Sequence, residues 1–153
     1  MILINVLRPA EPGRWTVVFH RKAENWFFAA IAMGHFKHVS AFAWVPDCQA
    51  WVHYDLGFRR TRITLLPDTK KSEAYLAELI TGNAIVTMPP RAGVVRVFRL
   101  GLFCTTAVKH LIGIGGSALR PDALFASCLR NGGELSDDGS QNNPASAGSC
   151  ARR

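Results

Sequence analysis

Four residues of this 153-residue chain have types and spacings suited to nucleophilic chemistry: Cys104, His38, His53 and Asp55. In the segment Cys104-Thr105-Thr106-Ala107-Val108-Lys109-His110-Leu111-Ile112, the apolar residues Ala107, Val108, Leu111 and Ile112 recur at helical spacing from the cysteine. That pattern predicts a helix with Cys104 in its first turn, on the buried face. Unpaired N–H groups and the positive dipole end at a helix start stabilise a thiolate, lowering a cysteine pKa from about 8.5 toward or below neutrality. The same amides can donate to an oxyanion during acyl transfer. A thiolate of this kind still needs a group that protonates the leaving group, and histidine is the natural one.

Two strands must bring that histidine to the cysteine. From His38 to Trp44 one parity reads His38, Ser40, Phe42, Trp44 and the other Val39, Ala41, Ala43, Val45, as in a strand packed on both faces. Pro46-Asp47-Cys48-Gln49 supplies a turn, and Trp51 to Asp55 reads as the return strand of an antiparallel hairpin. His53 and Asp55 share a parity on that strand, so either can approach His38 and orient its ring. The length of the turn leaves the register open; His53 is the first choice and Asp55 the alternative. A tetrahedral metal site from His35, His38, His53 and Cys104 is the competing use of these residues. A strand points His35 and His38 to opposite faces, so no metal and no cofactor is expected. His20 and His110 read as structural or exposed, and Cys48, Cys128 and Cys150 as bystanders.

The stretch His38-Val39-Ser40-Ala41-Phe42-Ala43-Trp44, followed by a turn and Trp51-Val52-His53, resembles the histidine hairpin of NlpC-like peptidases and lecithin:retinol acyltransferase-like proteins. In those families a histidine starts one strand and a second polar residue, often histidine, sits near the end of the next. Phe103-Cys104-Thr105-Thr106-Ala107-Val108 is similar to their nucleophile helix. NlpC-like enzymes usually place the cysteine before the histidine. Here the hairpin comes first, as in the permuted branch that includes the acyltransferase-like group. The resemblance spans roughly residues 36–112. It implies an α+β fold, a small antiparallel sheet packed on the nucleophile-bearing helix in circularly permuted papain-like order. The chemistry implied is cleavage or transfer at an amide or ester, with Cys104 as nucleophile and His38 as base and acid. Peptides, isopeptides and acyl esters are the substrates this admits.

Elsewhere, Trp15 to Phe19 and Arg60 to Leu66 read as strands, as do Ala84 to Met88 and Val94 to Arg99. Helices are expected over Glu24 to Met33, over Ser72 to Ile80 with Ser72 as cap, and over Pro121 to Arg130. The glycines of Gly113-Ile114-Gly115-Gly116 do not follow a strand and open a helix bearing a lysine, which argues against a nucleotide loop. Residues 1–134 are expected to form a single domain, and 135–153, nearly devoid of bulky apolar residues, a disordered tail.

With 48% hydrophobic residues the chain can bury a core without staples. Its four cysteines form no Cys-x-x-Cys pair, which fits a reducing, cytoplasmic setting better than a disulfide framework. The longest apolar run, Trp26 to Gly34, is too short to span a bilayer. A formal charge of +7 invites a nucleic-acid reading, but the basic residues are dispersed and cluster only at Arg59, Arg60 and Arg62, without a recognition motif. Nucleic acid is therefore disfavoured as a partner. A catalytically silent assembly or binding protein of the same fold is the main rival to the enzyme.

Overall fold

The computed structural model describes residues 12–22, 34–57, 60–90 and 103–136, which form an α+β architecture. Its strands are β1 (Trp15–His20), β2 (His38–Val45), β3 (Ala50–Leu56), β4 (Thr61–Pro67), β5 (Ala84–Thr87) and β6 (Glu134–Ser136). They make one antiparallel sheet in the order β4-β3-β2-β1-β5-β6. Three helices pack on it: α1 (Lys70–Ile80), α2 (Cys104–Leu111) and α3 (Pro121–Arg130). Among the described residues no helix is long and apolar enough to cross a membrane. The expected helix at Glu24 to Met33, the strand at Val94 to Arg99 and the tail from residue 137 onward lie outside the described residues.

Period-two alternation sorts the strand residues between two cores. Val17, Phe19, Val39, Ala41 and Val86 face α2 and α3, where Val108, Ile112, Leu124 and Cys128 complete a fully buried cluster. Val18 and Phe42, on the other face, meet Leu76 of α1, with Trp51, Leu66, Leu79 and Ile80 around them. β2, third from one edge, is thus covered on both sides, as its doubly apolar sequence predicts.

Several boundaries differ from the sequence expectations. α1 starts at Lys70, not Ser72, because the Thr69 side chain caps it and accepts from the Ser72 N–H at 3.3 Å. The helix bearing Cys104 buries Thr105, Thr106, Val108 and Lys109, with Ile112 just past its end, so its inner stripe is rotated away from the expected one. Cys104 consequently stands at the margin of that stripe, half-buried. Lys109 sits in the stripe with its Nζ donating to the Gly116 carbonyl, which gives the buried amine a hydrogen-bond partner. Leu135 and Ser136, assigned to the tail, belong instead to β6, where Leu135 lies opposite Val86.

The approach to β2 is also fixed. Gly34 takes φ +134° against the carboxylate of Asp122, which accepts from the His35 N–H at 2.9 Å. The Lys37 N–H then donates to the His20 carbonyl at 2.8 Å. These contacts anchor the residues just before His38 to α3 and β1.

Candidate functional site

Register decides which polar residue serves His38. Ser40 lies opposite Asp55 and Phe42 opposite His53 in the β2–β3 ladder. Asp55 is therefore one same-face step from the position facing His38, a diagonal that a carboxylate and an imidazole can span. His53 is two such steps away, about 13 Å of strand at 3.3 Å per residue, and cannot reach it. The structure accordingly pairs His38 Nε2 with Asp55 Oδ1 at 2.6 Å, while His53 turns its Nδ1 to the Tyr75 hydroxyl at 3.0 Å. The first choice for the third position is thus displaced by its alternative.

Cys104 arrives from the other side. α2 packs on β2 and brings the thiol close enough to the His38 ring and the Val39 backbone for both to act on its titration. By strand parity His38 belongs to the face covered by α1. It is the first residue of β2, and the ring and the thiol nonetheless act on each other's titration. Since Asp55 occupies Nε2, Nδ1 is the nitrogen left to the sulfur. The three side chains form a continuous chain, sulfur to imidazole to carboxylate.

The start of α2 is prepared for negative charge. The Phe103 N–H donates to Thr106 Oγ1 at 3.3 Å, and the Thr106 hydroxyl donates to the Phe103 carbonyl at 2.9 Å. The first intrahelical bond in this turn runs from the Ala107 N–H to the Phe103 carbonyl. The amides of Cys104 and Thr105 precede it and have no acceptor within the helix, the usual state of a helix start.

The electrostatics follow from this packing. Burial alone would lower the His38 pKa, but the hydrogen bonds to Asp55 and Cys104 and the charges behind them push it up to about 10. Burial alone would raise the Cys104 thiol. The His38 hydrogen bond and charge, the Val39 backbone and the Thr105 hydroxyl outweigh it and bring the thiol below its ordinary value. Asp55 is held below the usual carboxylate range, chiefly by its hydrogen bond to His38. All three shifts run toward thiolate, imidazolium and carboxylate.

Sequence reasoning missed two contributors to this arrangement. His20, directly opposite His38 in the β1–β2 ladder, stacks on it with centroids 5.4 Å apart and planes 30° apart. Its Nε2 is 2.8 Å from Ser40 Oγ. Burial, and then the charge on His38, lower the His20 pKa to about 4, so this ring is neutral at pH 7. The pairing joins strands separated by residues 21–37, and no local pattern announces it. His35 and His110 are exposed and stand apart from the site.

A pocket of about 100 Å³ opens beneath α1, with the His38–Asp55 pair as one wall and Lys22, His53, Arg62 and Tyr75 among the others. Cys104 does not line it, so this space lies behind the pair as seen from the sulfur. Among the described residues no group of three His, Cys, Asp or Glu is arranged to hold a metal ion. Comparison with protein-family models, with curated proteins and with solved structures finds no match for this chain.

Proposed function

We propose that the chain is a thiol-dependent hydrolase or acyltransferase acting on an amide or ester, in the manner of a circularly permuted papain-like enzyme. The observation that carries this reading is the Cys104–His38–Asp55 chain of contacts at the start of α2. A buried thiol among ordinary core residues needs no imidazolium, and a structural histidine needs no carboxylate on one nitrogen and a thiol beside the other.

The Cys104 thiolate attacks the substrate carbonyl carbon, and the electron pair of the C=O bond moves to oxygen. The Cys104 backbone N–H, at the first turn of α2, donates to that oxyanion. As the tetrahedral intermediate collapses, the bond to the amine or alcohol breaks and the His38 imidazolium gives that group its proton, leaving a thioester on Cys104. Water, or an acceptor nucleophile in a transferase, then loses a proton to His38 and attacks the thioester. Thiolate and imidazolium return. Asp55 holds His38 with Nδ1 toward the sulfur throughout and stabilises its charged form.

The test is acylation by an activated ester such as p-nitrophenyl acetate, followed by mass spectrometry of the intact chain. The expected result is a burst of nitrophenol and one acyl group on Cys104, lost in Cys104→Ala and strongly slowed in His38→Ala. Acylation no faster at Cys104 than at exposed Cys48 would overturn the proposal and favour a catalytically silent domain.

A further inference from the structure

The pocket behind the His38–Asp55 pair has features that the proposed chemistry does not use. His53 is 3% exposed, and its Nε2 is buried without a hydrogen-bond partner. A buried polar atom is normally satisfied, so an unpaired one lining a cavity marks a place for a guest. The Tyr75 hydroxyl lies on Nδ1. With the phenol donating there, the neutral ring carries its proton on Nε2, and the unpaired atom is a donor. Burial and the neighbouring Arg62 both hold His53 in that neutral form against the pull of Asp55.

Charge selects the class of guest. His38 and Asp55 offset each other within their hydrogen bond, which leaves Lys22 and Arg62 as the remaining charged groups of the lining. Among the described residues neither is in an ion pair. A surplus of positive charge beside an N–H donor favours an anion with oxygen acceptors and disfavours a cation. The volume selects its size. About 100 Å³ suits one small oxyanion or a few waters.

We propose that this pocket binds a small oxyanion, a carboxylate or a phosphate, held by Lys22, Arg62 and His53 Nε2. The bound charge lies next to the imidazolium of His38, so occupancy favours the charged state of the pair and, through it, the thiolate of Cys104. The binding itself does not depend on Cys104 being catalytic, whereas its effect on the thiol rests on the function proposed above.

The experiment uses the full chain labelled with 15N-histidine, titrated at constant ionic strength with inorganic phosphate and, separately, with acetate. Either probe is expected to give a saturable shift of the His53 Nε2 resonance, and the probe that binds more tightly identifies the preferred oxyanion. Affinity should fall at least tenfold in Arg62→Gln and in Lys22→Gln, whose side chains are exposed and whose loss leaves both cores intact. The shift should persist in Cys104→Ala, which separates this proposal from the catalytic one. No saturable shift with either probe, or an affinity unchanged from the parent chain in both charge variants, would overturn it and leave the pocket to water alone.

Discussion

On the face of the sheet covered by α2 and α3 the core is a large apolar cluster, in which Phe19 makes ring contacts with Phe36 and Phe125 at centroid distances of 5.4 and 5.1 Å. On the face covered by α1 the apolar cluster is smaller and gives way, toward the end of β2, to His20, His38, Ser40, His53 and Asp55. One face derives its free energy from area removed from water, roughly 25 cal/mol per Å². The other puts titratable groups where burial and neighbours shift them in opposite directions. His38 is raised and His20 lowered within one stacked pair. Burial by itself would lower both. The carboxylate and the thiol are what separate them, so partners rather than depth determine the charge at this site.

The largest effect expected from this contrast is on chemistry without loss of fold. Asp55→Asn keeps the shape but removes the charge that stabilises protonated His38, and should reduce turnover about 10³- to 10⁴-fold. His53→Ala, which leaves the His38–Asp55 bond in place, should cost about threefold or less. Steady-state assays on an activated ester check the ranking; equal losses would mean that Asp55 and His53 act as one unit.

Phe19→Ala should be next, at about 3–5 kcal/mol of stability from the lost ring and the cavity left in the apolar face. Urea unfolding measures it. Ser40→Ala, on the polar face, removes one neutral hydrogen bond to His20 and should cost about 1 kcal/mol.

The pH dependence separates the two stacked histidines. His38 has a raised folded pKa, so its contribution to stability is full below pH 6.5 and is lost as pH climbs from there through about 10. His20 has the opposite sign. Its folded pKa of about 4 makes it destabilising as pH falls from 6.5 through 4, since the unfolded chain takes up the proton first. His20→Gln should therefore flatten the stability profile between pH 6.5 and 4 while leaving the alkaline limb in place. It should also shift the pH profile of Cys104 alkylation, a response that loss of packing alone would not produce. The smallest effect is expected at the edge strand, where Ile63 and Leu65 are 64% and 71% exposed. Leu65→Thr should change stability by less than about 0.5 kcal/mol in thermal unfolding.

How much of this was legible in the sequence depended on whether a feature is local. The hairpin strands, the helix opening at Cys104 and the two-sided burial of β2 all follow from periodicities of two and 3.6 residues. The third residue of the site did not, because the connection folds as a short 3-10 turn, Pro46–Cys48, closed by Gln49 in the left-handed region at φ 45°. Its two-residue consequence decides between His53 and Asp55, and no propensity of Gln announces it. The cap of α1 is not legible for a similar reason: Thr69 and Ser72 are both capping residues, and only the backbone geometry chooses between them.

The chain order of the site residues bears on how the protein is made. His38 and Asp55 lie on one hairpin, a local structure of the kind that closes in microseconds. Cys104 follows only after β4, α1 and β5, and reaches His38 through contacts of long sequence separation, which form late. On the proposed function, a nascent or refolding chain carries an ordinary thiol until α2 docks on β2 and brings Cys104 to His38. Pulsed alkylation at pH 6 during refolding is expected to find Cys104 labelled no faster than Cys48 in early intermediates and faster only once α2 has docked. The arrangement delays the hazardous group until the structure that governs it exists.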